Sequence, residues 1–142
     1  VKSGEKLPLG RVELDVTDLI TLDSDTIKFN EIGYYRISII ASAYSKKTDT
    51  KFEPDNDFVT IGLRQLNTDN IYIGASRWSP EEIAREISAD GIISVADTNI
   101  TYEIVNLGKK TIYLFTPDLS NISSNSYFTN SLLTIIVEYL GR

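Results

Sequence analysis

The sequence predicts an all-β fold, two antiparallel sheets packed as a sandwich. Three observations carry this: apolar residues recur with a period of two, Asn/Asp/Gly turns separate the runs, and no long stretch holds the helical period. The 142 residues suit one domain, residues 1–142. Hydrophobic residues make up 42% and charged residues 24%, a globular composition.

The runs can be taken in chain order. Val12, Leu14 and Val16 alternate with Glu13 and Asp15. Asp23-Ser24-Asp25 lies between Leu22 and Ile27 as a turn or polar face. Gly33 follows Phe29 where a turn needs a freely chosen φ. Tyr35, Ile37, Ile39, Ala41 and Ala43 then alternate with Arg36, Ser38 and Ser42. Tyr35 is suited to burying its ring while its hydroxyl finds a backbone partner. Val59, Ile61 and Leu63 lead through the turn Asn67-Thr68-Asp69-Asn70 to Ile71 and Ile73. Ile100, Tyr102 and Ile104 alternate with Thr101 and Glu103, and the turn Asn106-Leu107-Gly108-Lys109 leads to Ile112 and Leu114.

One segment breaks the pattern. Ser79-Pro80-Glu81-Glu82 has the order of a capping box, Ile83 and Ile87 are four apart, and Asp90-Gly91 ends the run. This predicts a short helical turn near 79–87. The last strand also differs. Leu132-Leu133-Thr134-Ile135-Ile136-Val137 hardly alternates, and Tyr34-Tyr35 with Ile39-Ile40 has the same two-sided character. A strand apolar on both faces needs cover on both. With no long amphipathic helix to supply it, the economical cover is another copy of the chain. Ser120 to Ser126 is a polar loop between strands.

Composition narrows the chemistry. There is no Cys and no His, which removes disulfides, thiolate nucleophiles, Ser-His-Asp and Cys-His catalysis and His-based zinc sites. The formal net charge of −6 suits neither a phosphate backbone nor an anionic membrane, so no nucleic-acid partner is expected. No apolar run reaches the roughly 18 residues that span a bilayer, so no membrane insertion is expected. The chain opens at Val1 and contains no Met, which reads as a piece of a longer product.

Between Leu9 and Ile39 the residues Leu9, Asp15, Ile20, Ile27, Gly33, Tyr35, Ile37 and Ile39 keep the intervals of a known signature: an aromatic, an Asn or Asp, a large apolar residue, an aromatic, then G-x-Y-x-F-x-aromatic. This resembles the C1q/TNF-like superfamily, with aliphatics where that family usually has aromatics. Ser126-Tyr127-Phe128-Thr129-Asn130-Ser131-Leu132-Leu133 is similar to the family's last-strand motif S-x-x-F-x-G-F-L-L, and Ile104 to Gly108 before Thr111 to Leu114 is similar to its late hairpin. The aliphatic substitutions look most like the bacterial branch, heads of collagen-like exosporium and surface glycoproteins. The resemblance implies a jelly roll of about eight to ten strands. It also implies a homotrimer, an extracellular place on a spore or cell surface, a collagen-like stalk and no enzymatic activity. Tyr35, Tyr113, Phe115, Phe128, Leu133, Ile135 and Tyr139 are the residues expected at the trimer axis or inter-subunit faces.

Other chemistry is weaker. The carboxylate pairs Asp23/Asp25, Asp55/Asp57 and Glu81/Glu82 are local in sequence, whereas glycosidase carboxylates usually stand on different strands. Glu53-Pro54-Asp55-Asn56-Asp57 resembles the opening of a calcium loop, but Val59 and Leu66 stand where an EF-hand needs ligands. Asp55 and Asp57 stay as the best guess for a looser calcium site, and no other cofactor is expected. Trp78 beside Arg77 reads as a local plug or, with Asp55 and Asp57, as a ligand platform. An alternative role is therefore a lectin-like or receptor-binding tip for a glycan, host protein or matrix protein. Asn99-Ile100-Thr101 and Asn121-Ile122-Ser123 have sequon spacing, relevant only in a secretory eukaryotic setting.

Overall fold

The computed structural model describes residues 1–9, 18–45, 58–78, 85–114 and 133–142. Among the described residues nine strands form two antiparallel sheets, compatible with a jelly-roll sandwich: β1 (Ile20–Asp23), β2 (Thr26–Phe29), β3 (Gly33–Ser45), β4 (Phe58–Gln65), β5 (Ile71–Trp78), β6 (Arg85–Val95), β7 (Thr101–Asn106), β8 (Ile112–Leu114) and β9 (Leu133–Gly141). One sheet has the order β1-β2-β7-β4-β5. The other is built on β3, which pairs β6 on one edge and both β8 and β9 along the other.

Period-two patterning puts one face of each strand into the gap between the sheets. Ile27, Phe29, Val59, Ile61, Leu63, Ile73, Tyr102 and Ile104 enter from the five-stranded sheet. Tyr35, Ile37, Ile39, Ala41, Ala43, Ile87, Ala89, Ile93 and Val95 enter from the other. Of the signature residues, Leu9, Ile27, Ile37 and Ile39 lie in this core, and Ile20 packs against it half-buried. Asp15 lies outside the described residues, as does the run Val12–Val16.

Local turn chemistry explains the connections. Ser24 and Asp25 take positive φ (49° and 63°), which closes the tight β1–β2 hairpin with the twist the strands need. Gly33 has φ +147°, and a Cβ there would stand 2.6 Å from the Gly141 carbonyl oxygen and 2.6 Å from the Tyr139 ring. Free φ and an absent side chain are both required at that position.

Two expectations are corrected. The helical turn near 79–87 does not reach 85–87, since Arg85 onward is β6, and residues 79–84 lie outside the described residues. The reason is alternation: Ile87, Ala89, Ile93 and Val95 point inward, and each residue from Arg85 to Val95 has a β3 partner. Gly91 is not a helix stop. It is the inward position opposite Ile73, where a Cβ would come within 3.0 Å of the Ile73 side chain. The second correction concerns Ile71 and Ile73, which do not share a face. A bulge opposite Leu63/Arg64 leaves Ile73 buried and Ile71 exposed.

Candidate functional site

The outer face of the β3 sheet is the surface that the fold builds without covering it from the described part of the chain. Alternation along β3 buries Gly33, Tyr35, Ile37, Ile39, Ala41, Ala43 and Ser45, so Tyr34, Arg36, Ser38, Ile40, Ser42 and Tyr44 point outward. The pairings bring Ile92 beside Arg36 from β6, and Glu138 and Ile136 beside Arg36 and Ser38 from β9. Tyr34, Ile92, Ile136 and Leu140 are 50%, 57%, 55% and 42% exposed. Large apolar side chains on three neighbouring strands amount to a surface feature, whereas singly scattered ones do not. Polar links run between them. Arg36 Nη1 donates to Glu138 Oε2 at 3.2 Å, and the Ser38 hydroxyl donates to the Asp90 carboxylate. At one end of the face Tyr44 and Tyr113 stack, ring centroids 5.3 Å apart.

The expected interface residues are placed differently. Tyr35 is corrected outright: it is fully buried in its own chain's core, against Phe29 (4.7 Å between centroids) and Tyr139 (5.0 Å). Its hydroxyl donates to the Glu31 carbonyl at 2.7 Å. Burial raises its phenol pKa, partly opposed by that hydrogen bond. Leu133, Ile135 and Tyr139 are half-buried and turn toward the same core, and the Tyr139 hydroxyl donates to the Ile32 carbonyl. Tyr113 is outward and exposed. Phe115 and Phe128 lie outside the described residues. The outward members, Ile92, Ile136 and Leu140, were missed by sequence reasoning. For Ile92 the signal was present: Ile93 and Val95 inward put Ile92 outward, once Asp90-Gly91 is read as strand.

The five-stranded sheet treats its outer face differently. Arg64 Nε and Nη2 both donate to Glu103 Oε1, at 3.0 and 2.7 Å, and Glu103 is buried. Leu107 lies over Gly62, where a Cβ would meet its Cδ1 at 2.6 Å. Trp78 is exposed at the rim, paired with Phe58 across the β4–β5 ladder. Asp55 and Asp57, proposed to act with Trp78 or to bind calcium, lie outside the described residues. Among the described residues no group of three acidic, His or Cys side chains is placed to hold a metal ion. Asp25 accepts from the Leu9 amide at 2.8 Å and Asp23 from the Ser24 hydroxyl at 3.3 Å, so one carboxylate ties down the N-terminal segment and the other its own turn. No helix among the described residues is long and apolar enough to cross a membrane.

No family model matches the chain. No curated protein matches it either.

Proposed function

We propose that this chain is a non-enzymatic, homotrimerising head of C1q/TNF-like type. It would be the globular end of a collagen-like filament protein on a bacterial spore or cell surface, serving assembly and surface interaction. The observation that carries this reading is the outer face of the β3 sheet, with Tyr34, Ile92, Ile136 and Leu140 exposed on three adjacent strands. The signature spacing from Leu9 to Ile39 supports it independently. A permanent interface buries 2,000 Å² or more and is more apolar than ordinary surface, and a sheet face of this kind is the natural place for it.

Light scattering on the purified chain at micromolar concentration tests the reading. The expected mass is three times the 15.9 kDa chain. A clean monomer overturns it. The double substitution Ile92→Glu, Ile136→Glu should leave the far-ultraviolet circular dichroism of a β protein intact while reducing the mass to one chain.

A second reading is favoured by one observation, the exposed Trp78 beside Phe58 on the other sheet. In that reading the chain is a lectin-like or receptor-binding tip, with Trp78 as the stacking platform for a sugar ring. A glycan array run with and without calcium, on the unaltered chain and on Trp78→Ala, separates the two. Uniformly blank wells remove the lectin reading and leave the scaffold.

A further inference from the structure

We propose that Tyr44 and Tyr113 form an oxidative cross-linking site, at which a dityrosine bond ties β8 to β3. Three tyrosine–tyrosine contacts occur among the described residues. Tyr35–Tyr139 is tilted by 46°, with Tyr35 fully buried in the core. Tyr72–Tyr102 is nearly edge-on at 66°, with Tyr102 buried. Tyr44–Tyr113 differs from both. Like Tyr35 and Tyr139 the two residues are direct cross-strand partners, but their rings lie within 26° of parallel at 5.3 Å, and they sit on the outer face of the sheet with Tyr113 38% exposed. Near-parallel rings at this separation need little movement to couple, and the carbons ortho to the hydroxyls carry spin density in a tyrosyl radical.

Composition sharpens the inference. The chain has no Cys and no Met, the side chains that ordinarily intercept oxidants first, and only one Trp. Oxidising equivalents therefore fall on tyrosine and Trp78. The chain also has no disulfide with which to tie strands covalently. Among the described residues β8 pairs with β3 through Ala43–Ser45, and a link between Tyr44 and Tyr113 would tie the two strands at the middle of that ladder.

The co-reactant is hydrogen peroxide acting through a one-electron oxidant of the peroxidase class. Each phenol loses one electron and one proton. The two radicals form one carbon–carbon bond between their ortho positions, and each coupled carbon passes its hydrogen to the ring oxygen as aromaticity returns. The peroxide is reduced to two waters, so two phenols and one peroxide give one biphenol and two waters.

The test uses the whole chain, oxidised once with peroxidase and limiting peroxide and once with a photo-excited ruthenium complex and persulfate, whose small size removes any limit set by access. The expected product shows dityrosine fluorescence, keeps the mass of one chain less two hydrogens, and yields a cross-linked peptide joining Tyr44 to Tyr113. It should unfold at a higher denaturant concentration than the unoxidised chain. Tyr44→Phe and Tyr113→Phe keep the ring packing and should each lose nearly all of this product, while Tyr72→Phe keeps it. Oxidation that consumes tyrosine and Trp78 without an intramolecular link overturns the proposal. So does a link mapped to another pair, or one that survives in either phenylalanine variant.

Discussion

Strands β7 and β9 exchange the roles that their sequences suggest. Thr101-Tyr102-Glu103-Ile104-Val105-Asn106 reads as a strand with one wet face, yet from Tyr102 to Asn106 every residue is buried. The run ending Ile135-Ile136-Val137 reads as apolar on both faces, yet Ile136, Glu138 and Leu140 are exposed. The difference lies in the neighbours. β7 is flanked by β4 along one edge and along the other by β2 and the N-terminal segment, whose Lys6 bridges to Val105. Glu103 is tolerated inside because Arg64 meets it with two donors, and Asn106 because its amide donates to the Val1 and Lys110 carbonyls while its oxygen accepts from Gly108. β9 has β3 to pair with but presents its outer side to solvent. Burial thus depends on what the rest of the chain delivers, and one sheet face is finished from within while the other presents apolar side chains outward.

The largest expected effect lies beneath both strands. Tyr35→Ala removes a fully buried ring packed on Phe29 and Tyr139, and should cost about 3–5 kcal/mol in urea-unfolding free energy. Next is the polar lock of β7: Glu103→Gln leaves the Arg64 guanidinium without its carboxylate. It should cost about 3 kcal/mol, the low end for breaking a buried pair, because Arg64 keeps some access to water. Asn106→Ala removes the donor to the Val1 and Lys110 carbonyls and the acceptor of the Gly108 amide at the β7–β8 turn, and should cost about 2 kcal/mol by the same measurement.

Alkaline titration distinguishes the core from its surfaces. Burial raises the phenol pKa of both Tyr35 and Tyr102 above that of the unfolded chain, about 10. The folded state therefore holds these protons more tightly. Its stability is intact below the unfolded value and falls as pH rises past it, because the unfolded state ionises first. Thermal midpoints measured from pH 8 to 11 should decline above about 10, and less steeply in Tyr102→Phe. The smallest effect on the single chain belongs to β9 and β6. Ile92→Glu with Ile136→Glu touches exposed positions and should change monomer stability by no more than about 0.5 kcal/mol per site, while on the proposed trimer it should abolish assembly. A loss as large as that of Glu103→Gln would mean that these side chains are covered by their own chain, and the contrast between β7 and β9 would disappear.

Much of the architecture was legible beforehand. Alternating runs from Tyr35 to Ala43 and from Val59 to Leu63 became core strands, and Gly33 stands where backbone and ring contacts exclude a side chain. The reading failed where local signals competed with pairing. A capping box and an Asp-Gly pair suggested helix through Ile87, while eleven consecutive residues of β3 hold that segment as strand. At the candidate site the phase was not legible: Tyr35, Leu133, Ile135 and Tyr139 face inward, and Tyr34, Ile136 and Leu140 face out.

Alternating hydrophobicity and turn chemistry, both local properties of the chain, determined by themselves that this protein is a two-sheet β sandwich with Ile37, Ile39, Ile61 and Leu63 at its centre. Only the tertiary structure decided which side of each two-sided strand is covered. Strand period is two, so a shift of one residue exchanges the faces, and that phase is set by the register with neighbouring strands and by contacts such as Gly33 with Tyr139.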